Sequence, residues 1–128
     1  MKIEHVALWT NNLERAKTFY CAYFGGQPND KYVNGAKQFS SYFLTFSGGA
    51  RLELMQKPGL QPANPAQNNT AGYVHLAFST GSRDAVDHLT DRLRRDGYPV
   101  LGEPRTTGDG YYESVVADPD GNLVEITV

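Results

Sequence analysis

The sequence predicts an α+β fold built from two modules that repeat one order: a strand, a helix, then further strands. Three observations predict it. Set His5 against His75, and "EHVALWT" (4–10) falls on "VHLAFST" (74–80): a His, a short apolar alternation, then a Thr. Both segments run into a polar break and a helical pattern. Both halves then end on a strand whose Glu stands four residues after a turn glycine, Gly49 to Glu53 and Gly121 to Glu125. From His5 to Glu53 is 48 positions and from His75 to Glu125 is 50, so the same unit is written twice.

In the first module a two-residue period puts His5 with Ala7 and opposes them to Val6 and Leu8. Asn11 or Asn12 caps the helix that follows. Leu13, Ala16, Tyr20, Tyr23 and Phe24 recur at three- and four-residue spacing as its buried stripe, and Gly25-Gly26 is its left-handed stop. "PNDKYVNGAK" (28–37) has no counterpart in the second half and reads as a loop. "QFSSYFLTF" (38–46) and "ARLELMQ" (50–56) read as strands joined by "SGG". Glu53 shares a face with Arg51 and Met55, opposite Leu52 and Leu54.

"KPGLQPANPAQNNTAG" (57–72), rich in Pro, Asn, Gln and Gly, reads as a connecting loop. It sets module 1 at about residues 1–57 and module 2 at about 72–128 of one domain. In "YVHLAFST", Val74, Leu76 and Phe78 form one face and Tyr73, His75, Ala77 and Ser79 the other. Ser82 caps the second helix, Val86, Leu89 and Leu93 form its stripe, and Gly97 ends it. Arg92, Arg94 and Arg95 suit the negative end of its dipole. "YYESVVA" (111–117) and "NLVEITV" (122–128) flank "DPDG", a turn in which Pro119 presets φ and Gly121 tolerates positive φ. Glu125 lies with Leu123 and Thr127, opposite Val124, Ile126 and Val128.

The apolar faces are expected to hold the helices, and the faces bearing His and Glu to line a concave side. A lone His or Glu on a strand is ordinarily solvated or paired with a neighbour; the repetition singles these four out. Two imidazole nitrogens and two carboxylate oxygens suit one divalent ion such as Zn, Ni, Co, Mn or Fe, with room left for water or substrate oxygens. His88 sits mid-helix without a matching partner and is expected in solvent. Glu113, whose counterpart is Ser41, is a lesser candidate.

Composition narrows the partners. The net charge of −2 with scattered Lys and Arg predicts no nucleic-acid partner, and no apolar run is long enough to cross a bilayer. "MKIEHVALW" reads as a strand, not a leader. Cys21 is the single cysteine, so the expected compartment is the reducing cytoplasm.

"IEHVALWTNNLERAKTFY", "GYVHLAF" and above all "DPDGNLVEI" resemble the vicinal oxygen chelate superfamily along the whole chain. That superfamily includes glyoxalase I, fosfomycin-resistance proteins, extradiol dioxygenases, methylmalonyl-CoA epimerase and bleomycin-binding proteins. The resemblance implies paired βαβββ modules curling into an open, incomplete eight-stranded barrel around a metal, and a homodimer. The order His, Glu, His, Glu resembles bacterial glyoxalase I in particular, and lands on His5, Glu53, His75 and Glu125. Dioxygenases and fosfomycin-modifying enzymes generally use two His and one Glu, and the epimerase typically has Gln where Glu53 stands.

The resemblance therefore implies a lyase or isomerase that turns the thiol hemithioacetal of a 2-oxoaldehyde into a 2-hydroxyacyl thioester. One divalent ion (Zn, Ni, Co or Mn) would steady the developing negative charge, with Glu125 first and Glu53 second as the base. Trp9 stands where glutathione-using relatives often carry an Arg. An indole cannot form a bidentate salt link; Trp9 either stacks on a flat substrate or simply packs, the commoner use of a Trp, and with Arg51 it is the candidate for substrate binding, Lys57 and Arg105 being further cations. The expected partner is a small molecule, a glutathione adduct or that of another thiol. The alternatives are an acyl-CoA epimerase, a fosfomycin-type thiol transferase, or a non-catalytic small-molecule binder of the same fold.

Overall fold

The computed structural model describes residues 1–62 and 71–128, so half of the connecting segment read at 57–72 lies outside the described residues. The chain forms two compact units, Met1–Pro62 and Ala63–Val128. Among the described residues there are nine strands and two helices.

In the first unit, β1 (His5–Trp9) leads through α1 (Leu13–Phe24) to β2 (Gln27–Pro28), β3 (Tyr32–Asn34), β4 (Phe39–Thr45) and β5 (Arg51–Gln56). The sheet order is β1-β5-β4-β2, with β3 also on β4. The helix crossover returns the chain so that β1 and β5 run parallel. The Asn12 side chain accepts from the Arg15 amide at 3.0 Å, and Gln56 Oε1 takes the Leu13 amide at 3.0 Å, so two amides that the helix start leaves free are satisfied. Leu13, Ala16, Phe19 and Tyr20 are the buried face of α1, over Leu44, Leu52 and Leu54. Phe19 takes the depth that spacing assigned to Tyr23 and Phe24, which are half-buried.

The loop reading of 28–37 is corrected. Pro28 ends β2 and residues 32–34 form β3, two pieces of one edge line along β4. Asn29 bridges the break: its amide donates to the Phe43 carbonyl at 3.0 Å, and its Oδ1 accepts the Phe43 amide at 2.8 Å. Pro, Asn, Asp and Gly disfavour strands, but an edge tolerates them where β4 supplies the partners.

Glu14 fastens α1 to this sheet. Its carboxylate meets Lys17 Nζ at 2.6 Å, Lys31 Nζ at 3.1 Å and the Tyr42 hydroxyl at 3.0 Å. Hydrogen bonds from Lys17 and then Lys31 hold its pKa down to about 2, from an ordinary 4.5. A carboxylate with a depressed pKa stabilises the fold above its unfolded pKa, and that stability is lost as pH falls from about 4.5 toward about 2. Because the side chain is half exposed, solvent screening keeps the contribution under about 1 kcal/mol. Glu14→Gln is therefore expected to lower stability slightly at pH 7 and to flatten its fall between pH 5 and 2 in urea titrations; an unchanged acid limb would refute the assignment.

The second unit runs β6 (His75–Ser79), α2 (Arg83–Arg95), β7 (Val100–Thr106), β8 (Tyr112–Ala117) and β9 (Leu123–Thr127), with sheet order β6-β9-β8-β7. β6 starts at His75, so Tyr73 and Val74 stand outside the strand and are exposed. Ser82 Oγ accepts the Ala85 amide at 3.2 Å. At the other end Gly97 (φ 89°) lets the Tyr98 amide reach the Leu93 carbonyl at 3.0 Å. Val86, Thr90 and Leu93 are buried over Val116, Val124 and Ile126, and Leu89 is only half-buried. Thr90 is tolerated there because its hydroxyl bonds the Val86 carbonyl at 2.7 Å and Ser114 Oγ at 2.6 Å. β7 is an edge strand whose register slips on either side of Gly102, which is where Pro104 finds room without a ladder donor.

Each unit repeats one closing hydrogen bond of its own. The amides of Thr10 and Thr80 each donate at 2.8 Å to the last strand of their own sheet, at Met55 and Thr127. Among the described residues no helix is long and apolar enough to cross a membrane.

Candidate metal centre

Parallel pairing decides where each His and Glu meet. His5 lies beside Arg51 and Ala7 beside Glu53, so Glu53 is the diagonal neighbour of His5 on one face. The second unit repeats the register: His75 beside Leu123, Ala77 beside Glu125. That face is the one turned away from the helix, since Leu52, Leu54, Val124 and Ile126 occupy the buried side. His5 Nε2 stands 3.9 Å from Glu53 Oε2, and His75 Nε2 stands 3.4 Å from Glu125 Oε2. Exposure matches as well: 41% and 39% for the imidazoles, 16% and 15% for the carboxylates. Each unit thus presents an accessible nitrogen over a largely desolvated carboxylate.

Two donors about 2.1 Å from one ion stand about 3.0 Å apart at right angles and about 3.4 Å apart at the tetrahedral angle. The His75–Glu125 spacing of 3.4 Å has the second value, and the His5–Glu53 spacing of 3.9 Å is wider. Neutral imidazole with carboxylate suits Zn, Mn, Co or Ni. Among the described residues no three His, Cys, Asp or Glu form a group able to hold a metal ion. The donors come as two matching half-sets, one per unit.

The surroundings of the half-sets differ. Glu4 Oε2 lies 2.5 Å from His5 Nδ1, and Glu4 Oε1 lies 2.5 Å from the Arg51 guanidinium. The hydrogen bond to His5 pulls the Glu4 carboxyl below its ordinary range, and Arg51 adds to it. Arg51 in turn lies 4.2 Å from the centre of the Phe43 ring, which meets His5 edge-on at 5.4 Å. At Glu125, burial and then the neighbouring Glu113 push the carboxyl up, while His75 opposes them. Glu113 arrives there because β8 pairs Val115 with Glu125 and Glu113 with Thr127. A hollow of about 560 Å³ is lined by Leu101, Gly102, Glu103, Arg105, Val115 and Leu123; Leu123 and Val115 are the strand partners of His75 and Glu125, which do not themselves line it.

Of the candidate substrate contacts, Arg51 is engaged by Glu4 and Phe43, whereas Trp9 lies on the His5 face with Lys57 Nζ 4.4 Å from its ring and Phe39 edge-on at 6.2 Å. Arg105 pairs across from Glu113 and lines the hollow. His88 is exposed on α2, away from the His75–Glu125 face. Glu4 is the residue that strand periodicity misses. It precedes β1, so alternation does not fix its direction, and its reach to both His5 and Arg51 is a matter of side-chain length.

Two sheets, each closing its first strand on its last in parallel and carrying one His–Glu pair, define a duplicated α+β fold. The family model for the Glyoxalase/Bleomycin resistance protein/Dioxygenase superfamily matches residues 2–126, and the chain belongs to that superfamily. The metallothiol transferase FosB of Shouchella clausii is 32% identical over 128 residues, which span 97% of this chain and 77% of that protein. A glyoxalase family protein from Enterococcus faecalis superposes with a TM-score of 0.80 at 25% identity, covering 99% of this chain and 97% of the other. The trypanothione-dependent glyoxalase I of Leishmania major gives 0.78 at 22% identity, over 99% and 86%, which is a likeness of fold.

Proposed function

We propose that the protein is a metal-dependent lyase or isomerase of glyoxalase I type, acting on the hemithioacetal of a 2-oxoaldehyde and a small thiol, glutathione or another. The observation that supports it is the His–Glu pair repeated at one register in both sheets. His5, Glu53, His75 and Glu125 would hold one divalent ion (Zn, Ni, Co or Mn), the two pairs coming from one chain or from two chains of a homodimer. The ion, when bound, stabilises negative charge on a substrate oxygen as the adjacent C–H proton leaves. Glu125 moves that proton to the neighbouring carbon, with Glu53 as the second candidate. Trp9 offers a flat apolar face to the substrate. The lone cysteine and the thiol substrate fit a reducing cytoplasm.

A second reading, thiol transfer of the fosfomycin type, is favoured by the 32% identity to a metallothiol transferase. One experiment separates the two. Chelator-stripped protein is expected to be inactive and to regain thioester formation from methylglyoxal and a thiol when one divalent ion per four ligands is restored. Metal binding without thioester formation from any thiol tried, but with consumption of fosfomycin and thiol, would replace the first reading with the second.

A further inference from the structure

We propose that Glu4 is the positioning residue of the first half-set: it holds His5 by Nδ1 and so presents Nε2 as the metal-facing nitrogen, a device that the second half-set lacks. The inference rests on the metal-centre reading above. A neutral imidazole carries its proton on either nitrogen, and only the other nitrogen offers a lone pair. A carboxylate oxygen 2.5 Å from Nδ1 fixes the proton there. The Nε2 left bare is the atom that stands nearest Glu53, 3.9 Å away.

Glu4 is itself held. Its other oxygen meets Arg51 at 2.5 Å, and Arg51 lies over the Phe43 ring at 4.2 Å. Arg51 thereby balances the carboxylate charge and keeps Glu4 turned toward Nδ1. Phe43 meets the imidazole edge-on, restricting its rotation. In the second unit the residue before the histidine is Val74, which has no acceptor in its side chain, and among the described residues the polar partner of His75 is Glu125. Two half-sets with the same ligands and the same register therefore differ in preorganisation. Carboxylates hydrogen-bonded to ligating histidines commonly contribute about 10- to 100-fold in metal affinity.

The test has a metal-free arm and a metal arm. Long-range nitrogen–proton NMR spectra of the metal-free protein are expected to show His5 as the Nδ1–H tautomer and His75 biased toward Nε2–H, the nitrogen that faces Glu125. Glu4→Ala should abolish the Nδ1–H preference of His5, and Glu4→Gln, which keeps a neutral acceptor, should fall between. An Nε2–H tautomer at His5 in the unmodified protein would overturn the inference whether or not the protein binds metal. In competition with a chromophoric chelator, Glu4→Ala should weaken Zn binding by about 10- to 100-fold and Val74→Ala leave it unchanged. Zn affinity within twofold of the unmodified protein in a folded Glu4→Ala variant would also overturn it. A protein with the expected tautomers that takes up no divalent ion would instead remove the metal-centre reading and the role for Glu4 that depends on it.

Discussion

Replacing Glu125 by Gln is expected to lower turnover of the thiol adduct by about 10²- to 10⁴-fold, with the far-ultraviolet spectrum unchanged. Gln has the same shape and keeps an oxygen that can face a cation, but its amide cannot take a proton from carbon. The side chain is only 15% exposed, and its cross-strand neighbour Val115 lines the hollow of about 560 Å³. A carboxylate so placed is largely shielded from water. Glu53, at the matching register, has the Phe43 position across from it in the β4–β5 pairing. For that reason Glu53→Gln is expected to act mainly through metal affinity, seen as activity that recovers when more metal is added. Turnover measured per bound ion separates the two effects. If Glu125→Gln retains turnover within about threefold while Glu53→Gln loses it at saturating metal, the base is Glu53.

The sequence carried the repeat because chemistry and geometry mark the same positions twice. A His on the first strand and a Glu on the last, each alternating against apolar neighbours, fix both the faces and the pairing, and the observed registers agree. Caps were legible for the same reason: Asn12, Ser82 and Gly97 act through bonds made within a few residues. What escaped depends on partners far along the chain. β2 and β3 exist because β4 offers its free edge, against the local preference of Pro28, Asn29 and Asp30. β7 holds Gly102 and Pro104, which blur its period, and it survives through register slips on β8. Thr90 fills the buried stripe beside the half-buried Leu89 because Ser114 waits across the core for its hydroxyl. Glu4 and Arg51 show the limit for a site: strand period can place Arg51 on the right face, but not reveal that its guanidinium is spent on holding a carboxylate.

Asp118→Ala is expected to cost about 2–4 kcal/mol in chemical unfolding and to impair the second His–Glu pair, although Asp118 is no ligand. The residue is 3% exposed, and its side chain organises the turn before β9. Oδ1 accepts the amides of Asp120 at 2.9 Å and Asn122 at 2.8 Å, and Oδ2 accepts from the Asn122 side chain at 2.9 Å. The Asp118 amide donates to the Asn122 carbonyl at 2.9 Å, while Gly121, at φ 87°, returns its amide to the Asp118 carbonyl at 3.0 Å. Alanine would remove the acceptor of these part-buried donors. Asn would keep Oδ1 but set its amide group against that of Asn122, donor facing donor, so its loss should be about half as large. This turn determines which residue of β9 pairs with which of β8, and a slip of one position would carry Glu125 from the open face to the helix side. The corresponding turn of the first unit, Ser47-Gly48-Gly49, has no acid in that role. Asp118→Ala should therefore disturb the His75 resonances and leave those of His5 in place; equal disturbance of both, or an unchanged unfolding midpoint, would show that the register of β9 is held elsewhere.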